Sequence, residues 1–171
     1  QAAHEGQKCR IILKMNTLTD ESLMAALVEA GQAGVQIDLI VRGACMLPAQ
    51  RAGFTDNIRV RSIIGRFLEH SRVFYFASGK QESLYLSSAD WMNRNMLRRV
   101  ELAWPVEDPK LRQRIFHECL QTYLQDHVDA WVMHANGQYV RATPPKSRSA
   151  TVKVYTSAQQ QLMTLYANSK N

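Results

Sequence analysis

The sequence predicts an α/β domain with a mixed, mostly parallel sheet flanked by helices. Residues 10–15 form a short apolar run and residues 35–41 alternate apolar with polar side chains, and both patterns indicate strands. A helical pattern lies between them with short loops on either side, and a strand–helix–strand unit places its two strands parallel. Of the 171 residues, 46% are apolar and 21% are charged. These proportions are typical of a globular domain and exclude a disordered, collagen-like or coiled-coil chain.

The first helix has a clear beginning and end in the sequence. Thr19 or Asp20 can accept a hydrogen bond from the first turn, apolar residues recur at helical spacing over 23–30, and Gly31 ends the pattern. Turn-forming residues over 48–57 then predict a surface loop.

The remaining elements follow from further apolar runs. Gly79 and Lys80 separate two of these runs and predict a hairpin. The predicted strands are 58–64, 73–76, a strand ending at 85–87, 100–104 and 130–133; the predicted helical segments are a turn at 65–69, an amphipathic helix at 108–125 and a terminal helix at 157–168.

The charge of the chain favours an anionic partner. Lys and Arg number 21 against 15 Asp and Glu, which gives a net charge of +6, and Arg is twice as frequent as Lys. Arg can bind phosphate or carboxylate through two parallel hydrogen bonds. Arg59 and Arg61 share one side of a predicted strand, as expected of a phosphate cradle or of a solvated face. Charge alone leaves nucleic acid, acidic lipid and phosphate compounds open.

The cysteines and the apolar runs bear on where the protein resides. Cys9, Cys45 and Cys119 are widely spaced, form no metal-binding pair, and are predicted to be reduced thiols of a cytoplasmic protein. No apolar run is long enough to span a membrane, and no signal peptide is recognisable. Because the chain begins with Gln rather than Met, we expect it to be a piece of a longer protein.

Arg42, His70 and Arg72 are the strongest candidates for chemistry. Arg42 directly follows the second strand of the predicted unit, and ligands of parallel sheets bind beyond the carboxyl ends of the strands. His70 and Arg72 are two residues apart, so an extended backbone places both on one side. His70 can act on a phosphoryl group as nucleophile or proton carrier while Arg72 balances charge. A structural role for His70 is the alternative.

A polar cluster follows the strand that ends at residue 87. Ser88 and Asp90 lie in it, and Arg94 comes shortly after. Polar residues at a strand end indicate a site, although Ser and Asp also cap helices.

The chain is predicted to be one domain over residues 1–171, in which residues 141–171 form a basic tail and a terminal helix. Arg141, Lys146, Arg148 and Lys153 have no acidic residue between them. They are interpreted either as a track for a polyanion or as a solvated tail.

Several stretches together resemble the last domain of bacterial polyphosphate kinase. They are IVRGAC at 40–45, NIRVRSIIGRFLEHSR at 57–72 and LYLSSADWMNRN at 84–95, with further matches at 14–16 and 105–111. The resemblance covers almost the whole chain, and so long a joint match is more specific than any of its pieces.

The resemblance implies a phospholipase D-like fold. That family has two similar catalytic domains, each of which contributes a histidine to a shared site, and this chain resembles the second. The pattern His-x-Lys appears here as His-Ser-Arg at 70–72, and Gly-Ser-x-Asn appears as Ser-Ser-Ala-Asp at 87–90. The acid expected five residues after the cation is Ala77, a departure that suits a kinase better than a phosphodiesterase.

The activity implied by the resemblance is reversible transfer of the terminal phosphoryl group of ATP to polyphosphate through a phosphohistidine in the preceding domain, outside this chain. His70 corresponds to the second, catalytic histidine, and Arg42, His70 and Arg72 are expected to bind ATP or phosphate. The possible supporting residues are Asn16, Ser88, Asp90 and Arg94. Mg²⁺ is expected in the full enzyme, with ligands outside this chain, so no metal ligand is assigned here.

The implied partners are ATP or ADP, polyphosphate, the preceding domains and further copies of the full-length enzyme, which is expected in the cytoplasm or peripherally at the inner face of the membrane. No nucleic acid is expected, and the chain alone is expected to be inactive. Two alternatives stay open: half of a phospholipase D-like phosphodiesterase or nuclease with His70 as nucleophile, and a non-catalytic nucleic-acid-binding module.

Overall fold

The computed structural model describes residues 1–144 and 155–168, and eight strands within them form one sheet. In chain order the strands are β1 (Cys9–Met15), β2 (Gln36–Val41), β3 (Ile58–Ile63), β4 (Arg72–Ser78), β5 (Gln81–Ser87), β6 (Ala103–Pro105), β7 (Ala130–Met133) and β8 (Tyr139–Arg141). Their order across the sheet is β6-β5-β4-β1-β2-β3-β7-β8. The α/β class and the mixed sheet are therefore confirmed.

The prediction of a mostly parallel sheet is wrong. Only β1, β2 and β3 pair in parallel, and the five other pairings are antiparallel. The strand–helix–strand unit correctly predicted the parallel centre. The chain then adds β4, β5 and β6 on one side and β7 and β8 on the other, and several of these strands are joined by connections too short for a parallel crossover.

Helices cover both faces of the sheet. They are α1 (Glu21–Gln32), α2 (Asn93–Arg98), α3 (Pro109–Ile115), a π-helical turn (Phe116–Gln121), α4 (Thr122–Leu124) and α5 (Ala158–Asn168). Helix α1 packs on one face, around Leu13, Leu39 and Phe74. The π turn, α4 and α5 pack on the other, around Ile12 and Ile40. Because β1 and β2 are covered on both faces, they read as nearly continuous apolar runs.

Several local predictions are confirmed. Asp20 caps α1, because its carboxylate accepts a hydrogen bond from the Leu23 backbone amide at 3.0 Å. The hairpin at Gly79 joins β4 to β5, with Gly79 at a φ of 58° that favours glycine. The helix predicted at 108–125 is present, with a π-helical turn in its middle, and the terminal helix is α5.

Residues 65–69 do not form the predicted helical turn. The backbone amide of Phe67 donates to Gln159 Oε1 at 2.9 Å, and the Phe67 carbonyl accepts from Gln159 Nε2 at 2.9 Å. These bonds to α5 replace the hydrogen bonds that a helical turn would make within the segment, so the backbone stays irregular.

The strand predicted at 100–104 begins later than expected, at Ala103. Val100 is 98% exposed, and pairing with β5 starts only where Ala103 meets Ser87. The apolar pattern of this segment therefore reflects exposed side chains rather than a buried strand.

Three predictions concern the tail, the cysteines and the membrane. Arg141 ends β8 and donates to the carbonyl of Val128, while Lys146, Arg148 and Lys153 lie outside the described residues. All three cysteines are free thiols and half-buried. In the described part of the chain, no helix combines the length and apolar character needed to cross a membrane.

Candidate active site

Four of the predicted site residues meet at one edge of the sheet. Asn16 directly follows β1 and Arg42 directly follows β2, and these parallel strands end at the same edge. Strand β4 runs antiparallel to β1, so its first residue, Arg72, lies at this edge too. Strand β5 ends beside Arg72 and leads into Asp90. The parallel centre and its antiparallel neighbours therefore bring together residues that are 74 positions apart.

Arg72 and Asp90 form the central ion pair of the site. Arg72 Nη2 lies 2.9 Å from Asp90 Oδ2 and Nε lies 3.2 Å from Oδ1, with each side chain 12% exposed. Burial raises the pKa of Asp90, but the hydrogen bonds from Arg72 and from the Asn16 backbone outweigh burial and hold this pKa below its usual range. Asp90 is therefore ionised and cancels the charge of Arg72.

Asn16 connects this ion pair to Arg42. Its backbone amide donates to Asp90 Oδ1 at 2.7 Å, and its side-chain Nδ2 donates to Asp90 Oδ2 at 3.3 Å. Its Oδ1 accepts from Arg42 Nε at 3.2 Å. Among the described residues, the two terminal nitrogens of Arg42 have no hydrogen-bond acceptor, and no carboxylate pairs with this guanidinium. The Arg42 guanidinium thus keeps its charge, and its two terminal nitrogens can donate hydrogen bonds to an anion.

His70 is exposed at the other end of the network. Arg72 Nη1 lies 3.0 Å from His70 Nδ1 and 2.9 Å from the His70 carbonyl. Because a guanidinium can only donate, Nδ1 must be the acceptor in this contact. The neutral imidazole then carries its proton on Nε2, the ring nitrogen that Arg72 does not contact. The five residues from His70 to Arg42 thus form one unbroken hydrogen-bonded network, which we name the edge network.

Ser88 and Arg94 lie outside the edge network. Ser88 Oγ donates to the Glu101 carboxylate and accepts from the Leu102 amide, so it holds the connection between β5 and β6. Arg94 is exposed on α2. The helix-cap alternative for the 87–90 cluster is wrong, because the N-cap of α2 is Met92 and no side chain caps it.

Arg42, at one end of the edge network, lines one of the clefts in the described structure. A cleft of about 380 Å³ is lined by Arg42 and residues 63–68. A larger cleft of about 1000 Å³ lies at the opposite end of the sheet, beside the start of β1 and the β4–β5 hairpin. Size alone would select the larger one, but none of the edge-network residues lines it, so the smaller cleft is the candidate ligand site.

Gly43 fixes how closely the backbone after β2 approaches Asn16. Its amide donates to the Asn16 carbonyl at 2.8 Å, and a Cβ at this position would lie 2.9 Å from the same carbonyl oxygen. We expect Gly43→Ala to lower the free energy of unfolding by about 1–3 kcal/mol, because backbone atoms must move to admit the methyl group. Chemical denaturation of both proteins measures this, and an unchanged free energy would contradict the close approach.

The family of this chain is shown by its similarity to known proteins. A family model described as "Polyphosphate kinase C-terminal domain 2" matches residues 1–153. The chain belongs to the polyphosphate kinase family. Polyphosphate kinase of Paraburkholderia phytofirmans is 53% identical over 145 residues, which are 85% of this chain and 21% of the relative. That of Pseudomonas aeruginosa is 53% identical over 152 residues, 86% of this chain and 22% of the relative. The chain thus spans about a fifth of these polyphosphate kinases.

Solved structures agree with the family. The crystal structure of polyphosphate kinase from Porphyromonas gingivalis superposes with a TM-score of 0.86 at 34% identity, over 98% of this chain and 25% of that chain. A phospholipase D family member, Nuc from Salmonella typhimurium, superposes with a TM-score of 0.53 at 18% identity, over 82% of this chain and 88% of that chain. The second likeness concerns the fold alone, and it confirms the phospholipase D-like architecture.

Magnesium was expected in polyphosphate kinase with ligands outside this chain. Within residues 1–144 and 155–168, no three His, Cys, Asp or Glu side chains lie close enough to hold a metal. The carboxylates of Asp90 and Glu69 are ion-paired with Arg72 and Lys14. The placement of the magnesium ligands outside this chain stays a prediction.

Sequence reasoning missed a buried polar cluster behind His70. Lys14, in the middle of β1, is 3% exposed, and its Nζ lies 2.8 Å from Glu69 Oε2. Glu69 Oε1 accepts from Tyr123 Oη at 2.9 Å and from Gln159 Nε2 at 2.6 Å. The signal was a single lysine within an apolar strand, because a buried lysine requires a partner. We name these four residues the Glu69 cluster.

Proposed function

We propose that this chain is the C-terminal catalytic domain of a polyphosphate kinase that transfers the terminal phosphoryl group of ATP reversibly to polyphosphate. The edge network is the observation that carries the proposal. It joins a histidine to two arginines, of which Arg42 lines a cleft and, among the described residues, only Arg72 is neutralised by a carboxylate. Phosphoryl transfer needs positioning and stabilisation of charge above all, and this arrangement supplies both.

Arg42 is proposed as the main phosphate contact. Arg72 has its charge balanced by Asp90, whereas Arg42 has a neutral partner, Asn16. The uncompensated guanidinium therefore attracts the phosphates of ATP more strongly, and its terminal nitrogens can donate two parallel hydrogen bonds to one phosphate. Arg72 is proposed to orient His70 and to contact phosphate from the side.

His70 is proposed as a hydrogen-bond or proton donor to a phosphoryl oxygen. A nucleophilic Nε2 would need its lone pair free, which moves the proton of the neutral ring to Nδ1, where it would face an N–H of Arg72 at 3.0 Å. The observed contact favours the opposite tautomer. The covalent phosphohistidine is accordingly proposed to lie in the preceding domain, and His70 to donate to the group in transfer.

The complete reaction is proposed to need more than this chain. The γ-phosphoryl group passes from ATP to a histidine of the preceding domain, which becomes the phosphohistidine as ADP leaves, and then to an oxygen at the end of polyphosphate, which regenerates the histidine; each step breaks one bond to phosphorus and forms one. Mg²⁺ would be held by residues outside this chain and by the substrate phosphates. The working enzyme is proposed to be a homo-oligomer of the full-length chain, with this domain inactive alone.

Binding measurements test the proposed role of Arg42. We expect this chain to bind tripolyphosphate or ATP more tightly than a DNA duplex in calorimetry at two salt concentrations. Arg42→Ala should weaken the phosphate affinity at least about 10-fold, because a charged, bidentate contact is lost.

The matched control is Arg59→Ala, which removes the same charge from an exposed position of β3. It should change phosphate affinity less than twofold, since surface charges are screened at physiological salt. Equal binding to all three polyanions, unchanged by either substitution, would show that only net charge is acting and would contradict the proposal.

A further inference from the structure

In the Glu69 cluster, three side chains donate hydrogen bonds to the two oxygens of one carboxylate. Lys14, Tyr123 and Gln159 donate to Glu69 from β1, α4 and α5 respectively. Lys14 Nζ also lies 3.3 Å from the centre of the Tyr123 ring, so its charge meets both a carboxylate and an aromatic face. Three elements that are distant in sequence are thus tied to the residue directly before His70.

The segment that carries His70 has few other constraints. Residues 64–71 contain no helix or strand, and Ile64 and Leu68 are 63% and 71% exposed. Gln159 holds Phe67 through both backbone polar groups, and a Cβ on Gly65 would lie 2.5 Å from Gln159 Oε1. The segment is therefore held at the Phe67 backbone and at the Glu69 side chain by groups from outside it.

The Glu69 cluster and the edge network share strand β1. Lys14 lies in β1 and Asn16 directly follows it, and both line one small cavity together with Arg42 and Glu69. Lys14 pairs with Glu69, and Asn16 holds Asp90 and Arg42. Strand β1 thus contacts Glu69, the residue before His70, through Lys14, and it leads into Asn16, which contacts Asp90 and Arg42.

We propose that Glu69 is a positioning residue, which fixes the backbone of His70 against β1 so that the imidazole meets the phosphoryl group held by Arg42. This inference rests on the proposed function and adds to it a requirement for residues that do not touch substrate. The imidazole of His70 is exposed, so its place depends on Arg72 and on the backbone that Glu69 anchors. A shift of about 1 Å in a reacting group can cost about 100-fold in rate.

A direct catalytic or metal-binding role for Glu69 does not fit this geometry. Both carboxylate oxygens already accept hydrogen bonds from within the protein. Burial raises the pKa of Glu69, but the charge of Lys14 and the three hydrogen bonds outweigh it and leave the pKa below its ordinary value. An ionised carboxylate with its oxygens occupied is a poor proton donor and a poor ligand.

The test uses the full-length polyphosphate kinase that contains this domain. Tyr123→Phe removes one hydrogen bond to Glu69 and keeps the ring over Lys14; we expect kcat to fall about 10-fold with an unchanged KM for ATP. Glu69→Gln should lower kcat about 100-fold if the protein folds. The matched control is Tyr75→Phe, which removes a hydroxyl that donates to Glu82 at 3.0 Å, away from His70; it should keep kcat within twofold.

Repeating Tyr123→Phe in a His70→Ala background separates positioning from general stability. If the cluster acts through His70, the second substitution causes no further loss of kcat, as expected of coupled residues. An equal loss in both backgrounds, or no loss in the otherwise unchanged enzyme, would overturn the inference. Full activity of His70→Ala alone would instead overturn the proposed function, and with it the target that Glu69 is meant to position.

Discussion

Replacing His70 with alanine in the full-length enzyme is expected to lower polyphosphate synthesis from ATP by about 100- to 10,000-fold, the range that one proton or hydrogen-bond donor contributes to a transition state. The fold should be unaffected, because His70 is exposed and Arg72 keeps both bonds to Asp90. The measurement is the steady-state rate of ADP release in the presence of polyphosphate. His117→Ala, at an exposed helix position, is the control and should retain normal turnover.

A second experiment distinguishes whether His70 acts as a proton donor or as a nucleophile. After incubation of the wild-type enzyme with ATP, mass spectrometry should find phosphate on a histidine outside this chain and none on His70. A phosphate on His70 would contradict the tautomer inferred from the contact with Arg72 and would support the nucleophilic alternative. Near-normal turnover of His70→Ala would contradict any chemical role for this residue.

Asp90→Asn is expected to have the largest effect on stability among the site residues. The substitution leaves Arg72, 12% exposed, without its counter-ion and weakens the bonds to Asn16. Breaking a buried ion pair in this way costs about 3 kcal/mol. The rate of synthesis should fall as well, because Asn16 and Arg72 both lose the group that orients them. Urea denaturation of this chain and of the variant at pH 7 measures the loss.

The pH dependence of this loss follows from the sign of the pKa shift. The pKa of Asp90 is lower in the folded protein than its ordinary value, so its carboxylate stabilises the fold above about pH 4 and ceases to do so as the pH falls through the folded pKa. The gap between wild type and Asp90→Asn should therefore narrow in acid. A gap that stays constant from pH 7 to pH 3 would show that lost packing, not lost charge, causes the effect.

Asp38→Asn is the matched control for Asp90→Asn. Asp38 pairs with Arg10 at 2.8 Å, but the Arg10 side chain is 47% exposed. Water and salt screen such a pair, so we expect a loss of less than about 1 kcal/mol. Similar losses for the two variants would mean that burial does not distinguish the two pairs.

The sequence predicted the centre of the fold because the information there is local. Residues 10–41 contain strand, cap, helix, glycine and strand in order, and each signal acts within a few positions. The direction of the outer strands depends instead on which edge of the sheet the chain joins next, and the alternation of side chains is the same in either direction. That is why the parallel core was predicted correctly and the mostly parallel sheet was not.

The site was predicted in part for a similar reason. Arg42, His70 and Arg72 stand next to recognisable strands, and Asn16 and Asp90 were named beside them. The hydrogen-bond partners of these residues could not be predicted from the sequence, because they are far apart along the chain; Asn16 and Asp90, for example, are 74 positions apart. Ser88 matched the same motif as Asp90 but turns toward Glu101. Lys14 is recognisable in the sequence as a charge within an apolar strand. Only the folded structure shows that its ion-pair partner is Glu69, the residue before His70.

The bond between α5 and the segment around Phe67 has a consequence for biosynthesis. Gln159 lies 92 residues after Phe67, so during translation residues 64–71 emerge from the ribosome well before the side chain that holds them. Until α5 is made, residues 64–71 lack these two hydrogen bonds to their backbone, and Glu69, next to His70, lacks the bond from Gln159. A nascent or prematurely terminated chain that lacks α5 would thus have the strands without the side chain that holds residues 64–71.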